Sequence, residues 1–314
     1  SRYINVLLSG EEEIGKPSTM GQVKDSAEVL KADHMVVIDS HLPGPGIPGV
    51  TLGTRGIVTM EIEVRNSNQD LHSGNLGGAV LNPLRALSTV LASFWDPQGK
   101  ITIPHFYDQV EPLTKEEKEL YTLDFDKERI AKHFNIGAFA AEPGHSLGEG
   151  IFTRPTLEIN GLWGGYTGEG FKTVLPAAAY AKISCRLVPD QDPEQIFAHI
   201  AEALKKALPK GLECHIHKGE GAIAFRSSAD TLIAKTVSAA YQEVMGKPCQ
   251  SALLGGSIPI MPLLAKVTGA ETVLMGYGLD EDGPHAPNEH FGLDRFQQGF
   301  LTMCGIFSRL MNHE

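Results

Sequence analysis

The chain has 314 residues, 42% of them hydrophobic and 21% charged, a balance that fills globular cores, suffices for two domains and excludes disorder. No apolar run reaches the ~20 residues of a membrane-spanning helix and the first residues lack the order of a secretory signal, so a soluble, cytoplasmic protein is expected, with no membrane partner. A formal net charge of −11, without a Lys/Arg cluster, argues against nucleic acid as a partner.

Tyr3 to Leu8 is short, apolar and without polar alternation, the pattern of a buried strand. Three acids, Glu11, Glu12 and Glu13, follow it. Pro17-Ser18-Thr19 opens a helical pattern running to Leu30, and residues 34–39 read as a second buried strand, which together predict a βαβ unit with parallel strands. Residues 59–64 alternate as in a half-exposed antiparallel strand, and a helix is expected from about Asn82 to Phe94. After an irregular stretch come strands over 155–159 and 177–188, a helix over 193–208 and a strand over 212–217. That β-α-β-β-α-β order predicts a small two-layer domain. The α/β style then returns with a helix over 231–245, a turn at Gly255-Gly256-Ser257, a strand over 271–276 and a closing helix over 293–311. The fold class is therefore α/β: a layer with a mostly parallel sheet at 1–56 and 222–314, interrupted at 57–221 by an inserted α+β, ferredoxin-like domain.

The four cysteines, Cys185, Cys214, Cys249 and Cys304, form no C-x-x-C pair, so they read as buried reduced thiols rather than as a metal cluster or a disulfide framework.

In open α/β sheets, ligands gather beyond the carboxyl ends of parallel strands. The triple glutamate and Asp39 sit at two such ends, and His285 lies in the Gly/Pro-rich loop after a third. Oxygen and imidazole donors without thiolate suit zinc, manganese or cobalt in a hydrolytic centre, where one acid binds metal and its neighbour takes a proton from water. Taken singly, the acids are also what a solvated helix N-terminus carries, and the histidine what a surface loop carries. His215 and His217 alternate as on an exposed strand face.

Eight motifs run in order along the chain: Gly10-Glu11-Glu12-Glu13-Ile14-Gly15, Val37-Ile38-Asp39, Gly53-Thr54-Arg55-Gly56, Asp70-Leu71-His72-Ser73-Gly74, Lys172-Thr173-Val174-Leu175-Pro176, Arg186-Leu187-Val188-Pro189, Gly255-Gly256-Ser257-Ile258-Pro259 and His285-Ala286-Pro287-Asn288-Glu289. Their series resembles the M20 metallopeptidases, in the branch of carnosinase-like, cytosolic nonspecific dipeptidases. The resemblance implies a two-metal hydrolase, with zinc or manganese, acting on dipeptides or short peptides with a free C-terminal carboxylate. It makes Glu12 the general base and Glu13 a metal ligand, with His285 on the same ion and Asp39 on the other. His72 would polarise the scissile carbonyl from a partner subunit, and Thr173, Arg186 and Ser257 would hold the substrate's backbone and carboxylate. A homodimer through the inserted domain follows from the same resemblance.

Two further ligand-bearing motifs of that family, a His-x-Asp and a bridging aspartate, lie upstream of the glutamate pair, and no H-x-D occurs here. The chain is thus expected to be part of a longer protein and, alone, to be inactive. An N-acyl amino acid deacylase or desuccinylase is the nearest alternative. A truncated, non-catalytic dimerising or single-metal module is the other.

Overall fold

The structure, a computed structural model, describes residues 3–8 and 17–312. Its strands, in chain order, are β1 (His34–Ile38), β2 (Gly49–Thr54), β3 (Gly56–Arg65), β4 (Leu71–His72), β5 (Thr156–Gly164), β6 (Val174–Leu175), β7 (Ala178–Leu187), β8 (Glu213–Ala222), β9 (Phe225–Arg226), β10 (Gln250–Leu254) and β11 (Glu271–Met275). The chain divides into two compact units: Ser1–Thr54, Pro112–Gly137 and Phe225–Glu314 form one, and Arg55–Glu111 with Ala138–Ala224 the other.

The second unit is a four-stranded antiparallel sheet in the order β5-β7-β3-β8. Alternation puts Val58, Met60, Ile62 and Val64 of β3 and Ala181, Ile183, Cys185 and Leu187 of β7 on one buried face. Two helices cover that face, Pro83–Ala92 with Leu87, Val90 and Leu91, and Pro193–Ala207 with Ile196, Ile200 and Leu204. Each fully buried Leu or Ile contributes roughly 1.5–3 kcal/mol. Both helices start where their sequences allow: Asn82 Oδ1 accepts from Leu84 N and Arg85 N, Asp192 Oδ1 accepts from Glu194 N, and a proline opens each first turn. The opposite face carries Glu61 and Glu63, with His217 and His215 across from them in β8, all in the exposed or half-buried pattern expected of an open sheet face. A short ladder, β4 with β6, stands apart from this sheet.

The first unit is a mixed sheet in the order β1-β11-β2-β10, with β9 on β2. β1 runs parallel to β11 and β10 parallel to β2, while β2 meets β11 and β9 antiparallel. The helix Leu232–Met245, capped by Thr231, buries Ile233, Val237, Ala240 and Tyr241, and the closing helix Leu293–Asn312 packs against it. No helix among the described residues is long and apolar enough to cross a membrane.

Several expectations are corrected. Tyr3 to Leu8 forms no strand and is exposed, so the expected βαβ unit is represented by its helix and second strand alone. Apolar patterning states a preference for burial, but a strand forms only where its backbone groups are paired, and none of the described strands pairs with this segment. The insertion expected to run unbroken over 57–221 is interrupted, because residues 112–137 pack with the first unit. There Tyr121 bridges Ser251 and Arg129 pairs with Asp280 and Glu281. Of the cysteines only Cys185 is buried; Cys304 is exposed, two residues from the buried Thr302 and Ile306 and hence on the other side of its helix.

Candidate functional site

Glu12 and Glu13 lie outside the described residues. In the first unit, Asp39 follows β1 directly, Ser257 follows β10, and His285 lies in the loop after β11. All three line one open cavity of about 910 Å³, although β10 runs opposite to β1 and β11 in the sheet. The sheet brings the three together across more than two hundred positions of sequence.

Close backbone contact sets the spacing of the two strand exits. A Cβ on Gly276 would lie 1.6 Å from Ser40 O, so only glycine lets the segment after β11 run beside the segment after β1 at that point; one on Gly278 would lie 2.5 Å from His41 Cδ2, a side-chain contact. The buried hydroxyl of Tyr241 grips the same point: it accepts from Gly276 N at 3.1 Å and donates to Gly276 O at 2.7 Å. Further out, the paired segments meet again at His41 and Gly278.

Charge around the cavity is arranged in pairs. The Asp280 carboxylate, 3.7 Å from His41 Nδ1, raises His41 above its ordinary value in spite of burial, and the imidazole in turn holds Asp280 below the usual carboxylate range. Arg295, on the closing helix, forks onto Asp282 with both bonds at 2.6 Å and holds that carboxyl below its ordinary value. None of His41, Asp280 and Arg295 was singled out by the sequence; the signal available was the acidic run 280–282 placed directly before Gly283 and Pro284.

An oxygen donor and an imidazole on the wall of one cavity form the donor set that zinc or manganese takes, so Asp39 and His285 fit such an ion. Among the described residues no group of three or more His, Cys, Asp or Glu side chains gathers to hold a metal, so these two would act with ligands from elsewhere.

In the second unit, β4 and β6 place His72 opposite Val174, and Ser73 N donates to Thr173 O at 2.9 Å, so His72 and Thr173 are neighbours. His72 Nδ1 accepts a hydrogen bond from Gly74 N at 3.0 Å. The neutral ring therefore carries its proton on Nε2, the nitrogen free to point outward as a donor. Arg186 lies in β7 of the four-stranded sheet, between Ile57 and Thr156, and is half-buried. Burial lowers its guanidinium below the ordinary value, with Glu220 opposing. Arg55, which the sequence placed in a motif but gave no role, is buried beside it: burial, then repulsion by Arg186, pushes Arg55 down to about 9, and Glu158 offsets part of this. Arg55 also donates to Arg154 O at 3.2 Å. Two poorly hydrated guanidinium groups that repel one another present a positive potential that a carboxylate would relieve.

Comparison with known proteins gives a consistent set of similarities. Residues 52–212 match the family described as Peptidase dimerisation domain. The chain is 28% identical over 313 residues to Beta-Ala-His dipeptidase of Rattus norvegicus, covering 98% of this chain and 64% of that protein. It is 32% identical over 315 residues to Cys-Gly metallodipeptidase DUG1 of Candida albicans, covering 96% and 63%. Among solved structures, human carnosine dipeptidase 1 superposes with a TM-score of 0.82 at 26% identity, over 95% of this chain and 64% of that one. An M20 family metallo-carboxypeptidase of Sulfolobus solfataricus does so with a TM-score of 0.82 at 30% identity, over 95% and 68%. The chain thus spans just under two thirds of the length of the curated relatives it matches.

Proposed function

The chain belongs to the M20 peptidase family, and we propose that the protein carrying it hydrolyses dipeptides or short peptides with a free C-terminal carboxylate. The observation that carries this reading is the convergence of Asp39, Ser257 and His285 on the wall of one cavity. The names of the relatives, Beta-Ala-His dipeptidase and Cys-Gly metallodipeptidase, point to the same substrate class.

Glu13, Asp39 and His285 would hold divalent ions together with ligands from elsewhere in the protein. Such ions supply Lewis acidity toward the scissile carbonyl and the attacking water. Glu12 takes the proton of that water and passes it to the leaving amine. His72, with its proton on Nε2, donates to the carbonyl oxygen as charge develops there, a role that needs the Gly74 N–H to occupy the other nitrogen. Arg186 forks onto the substrate's carboxylate, with the nearby Arg55 adding to the positive potential, while Thr173 and Ser257 bond its backbone. The family description of residues 52–212 supports a homodimer formed through the second unit, which would allow His72 to serve a partner's site.

The test is metal analysis and a panel of dipeptides and N-acyl amino acids on the full-length protein. Bound zinc or manganese with dipeptide turnover, and a Glu12→Gln variant that keeps its metal but loses nearly all hydrolysis, are expected. Faster hydrolysis of N-acyl amino acids than of every dipeptide would overturn the substrate assignment, and full turnover in Glu12→Gln would remove Glu12 as the base.

A further inference from the structure

We propose that the Arg295–Asp282 pair is a positioning device for the loop bearing His285, setting the direction of the imidazole and hence the divalent-metal affinity of the cavity. The proposal rests on the reading of His285 as a ligand.

The loop is cinched by one residue. Asp282 accepts from Leu279 N through Oδ2 at 2.9 Å, and its backbone oxygen accepts from His290 N at 2.9 Å, so residues 283–289 form a closed excursion that begins and ends at Asp282. Arg295 then anchors that knot: its Nη1 and Nη2 each donate to Asp282 at 2.6 Å, and Nη1 also donates to Tyr277 O at 2.7 Å, just beyond the end of β11. One guanidinium therefore ties the strand exit and the loop base to the closing helix, while its plane lies over the Phe291 ring at 4.7 Å.

The excursion itself is strained. His285 and Asn288 have φ of 59° and 64°, the left-handed region that non-glycine residues adopt at a cost. A conformation of that kind persists only where surrounding contacts over-determine it, and Asp282, 6% exposed, supplies both the side-chain and the backbone contacts at the base. A solvated surface pair would have no such leverage. Lysine could replace the charge of Arg295 but not its fork, which has to satisfy two carboxylate oxygens and a carbonyl at once.

The experiment uses the full-length protein stripped of metal, with Arg295→Lys, Asp282→Asn, the charge-swapped double variant Arg295→Asp/Asp282→Arg, and His285→Ala as reference. Zinc affinity and stoichiometry are read by calorimetry, and ligand geometry by the visible absorption of the cobalt-substituted protein. Arg295→Lys and Asp282→Asn should each weaken one ion by 10–100-fold, the size of effect expected for groups that orient a ligand. The cobalt bands should shift while the circular dichroism stays that of the parent, and the double variant should recover part of the loss. Zinc affinity within twofold of the parent and unchanged cobalt bands in Arg295→Lys would overturn the proposal even where His285→Ala loses an ion. If His285→Ala keeps both ions, the underlying reading of His285 fails and takes the proposal with it. Should Asp282→Asn not fold, Arg295→Lys decides alone.

Discussion

In the unit built on β3 and β7, the candidate residues sit within or beside regular strand pairing: Arg186 has a partner on each side in the sheet, and His72 is paired with Val174. In the unit built on β1 and β11, Asp39, Ser257 and His285 sit past the strand ends, where no ladder holds them. Position there comes from backbone contacts without room for a side chain, as at Gly276, and from side chains that clasp backbone groups, as Tyr241, Asp282 and Arg295 do. A ladder spreads its tolerance over many bonds, whereas a clasp concentrates it in one residue. Single substitutions should therefore act through the core in one unit and through isolated contacts in the other.

The largest effect should come from the packed sheet. Ile62→Ala, at 1% exposure in the middle of β3, should cost about 4 kcal/mol, seen as a lowered unfolding midpoint and lost amide-exchange protection along β3 and β7. In the other unit, Gly276→Ala should cost about 3 kcal/mol although it adds only a methyl group, because the obstruction is the backbone oxygen of Ser40 and no rotamer relieves it. Gly278→Ala should cost less, since its obstruction is the movable ring of His41. Equal midpoints for the two glycine variants would contradict the distinction between backbone and side-chain contacts.

A smaller, purely functional effect is expected at Gly74. Its added Cβ would lie 2.9 Å from His72 Cε1, so the ring must swing and release the Gly74 N–H. Turnover in the full-length Gly74→Ala variant should fall about tenfold, or ~1.4 kcal/mol in barrier, with metal content and unfolding midpoint retained. The pH dependence of stability gives the finest comparison. The Asp282 carboxyl is held below its ordinary value chiefly by its bond to Arg295, so its contribution is present above the unfolded value near ~3.9 and is lost as pH falls through the depressed one. Asp282→Asn should unfold at a lower urea midpoint than the parent at pH 7, and the gap should narrow below about pH 4. A gap of constant size down to pH 2 would show that the carboxylate's charge is not what counts.

The same contrast explains what could be read from the chain. Residues 59–64, the helix behind Asp192 and the helix behind Thr231 announce themselves through alternation or 3.6-residue spacing together with a capping side chain. β2 does not, because Gly49 and Gly53 interrupt its pattern, and Gly53 is there to admit Arg226 and Phe225 O from β9. β10 and the helix Met261–Thr268 were likewise not anticipated; the helix has no side-chain N-cap to mark its start. Tyr3 to Leu8 misleads in the opposite direction, since its apolar residues state a preference for burial without naming the strand that would receive them. Asp39, Ser257 and His285 in the first unit, and His72, Thr173 and Arg186 in the second, were named from the sequence as members of motifs. The Asp282–Arg295 clasp was not, because its partners lie thirteen positions apart and only the return of the closing helix makes them neighbours.

The placement of the cysteines has a practical consequence. Cys185 is sealed in the sheet with its thiol pushed far up by burial, and burial also raises the half-buried Cys214 and Cys249. Cys304 alone stands exposed, on the same helix that supplies Arg295. A thiol-directed fluorophore or spin label added at neutral pH should therefore report selectively from that helix, giving a native spectroscopic handle on the element that anchors the His285 loop.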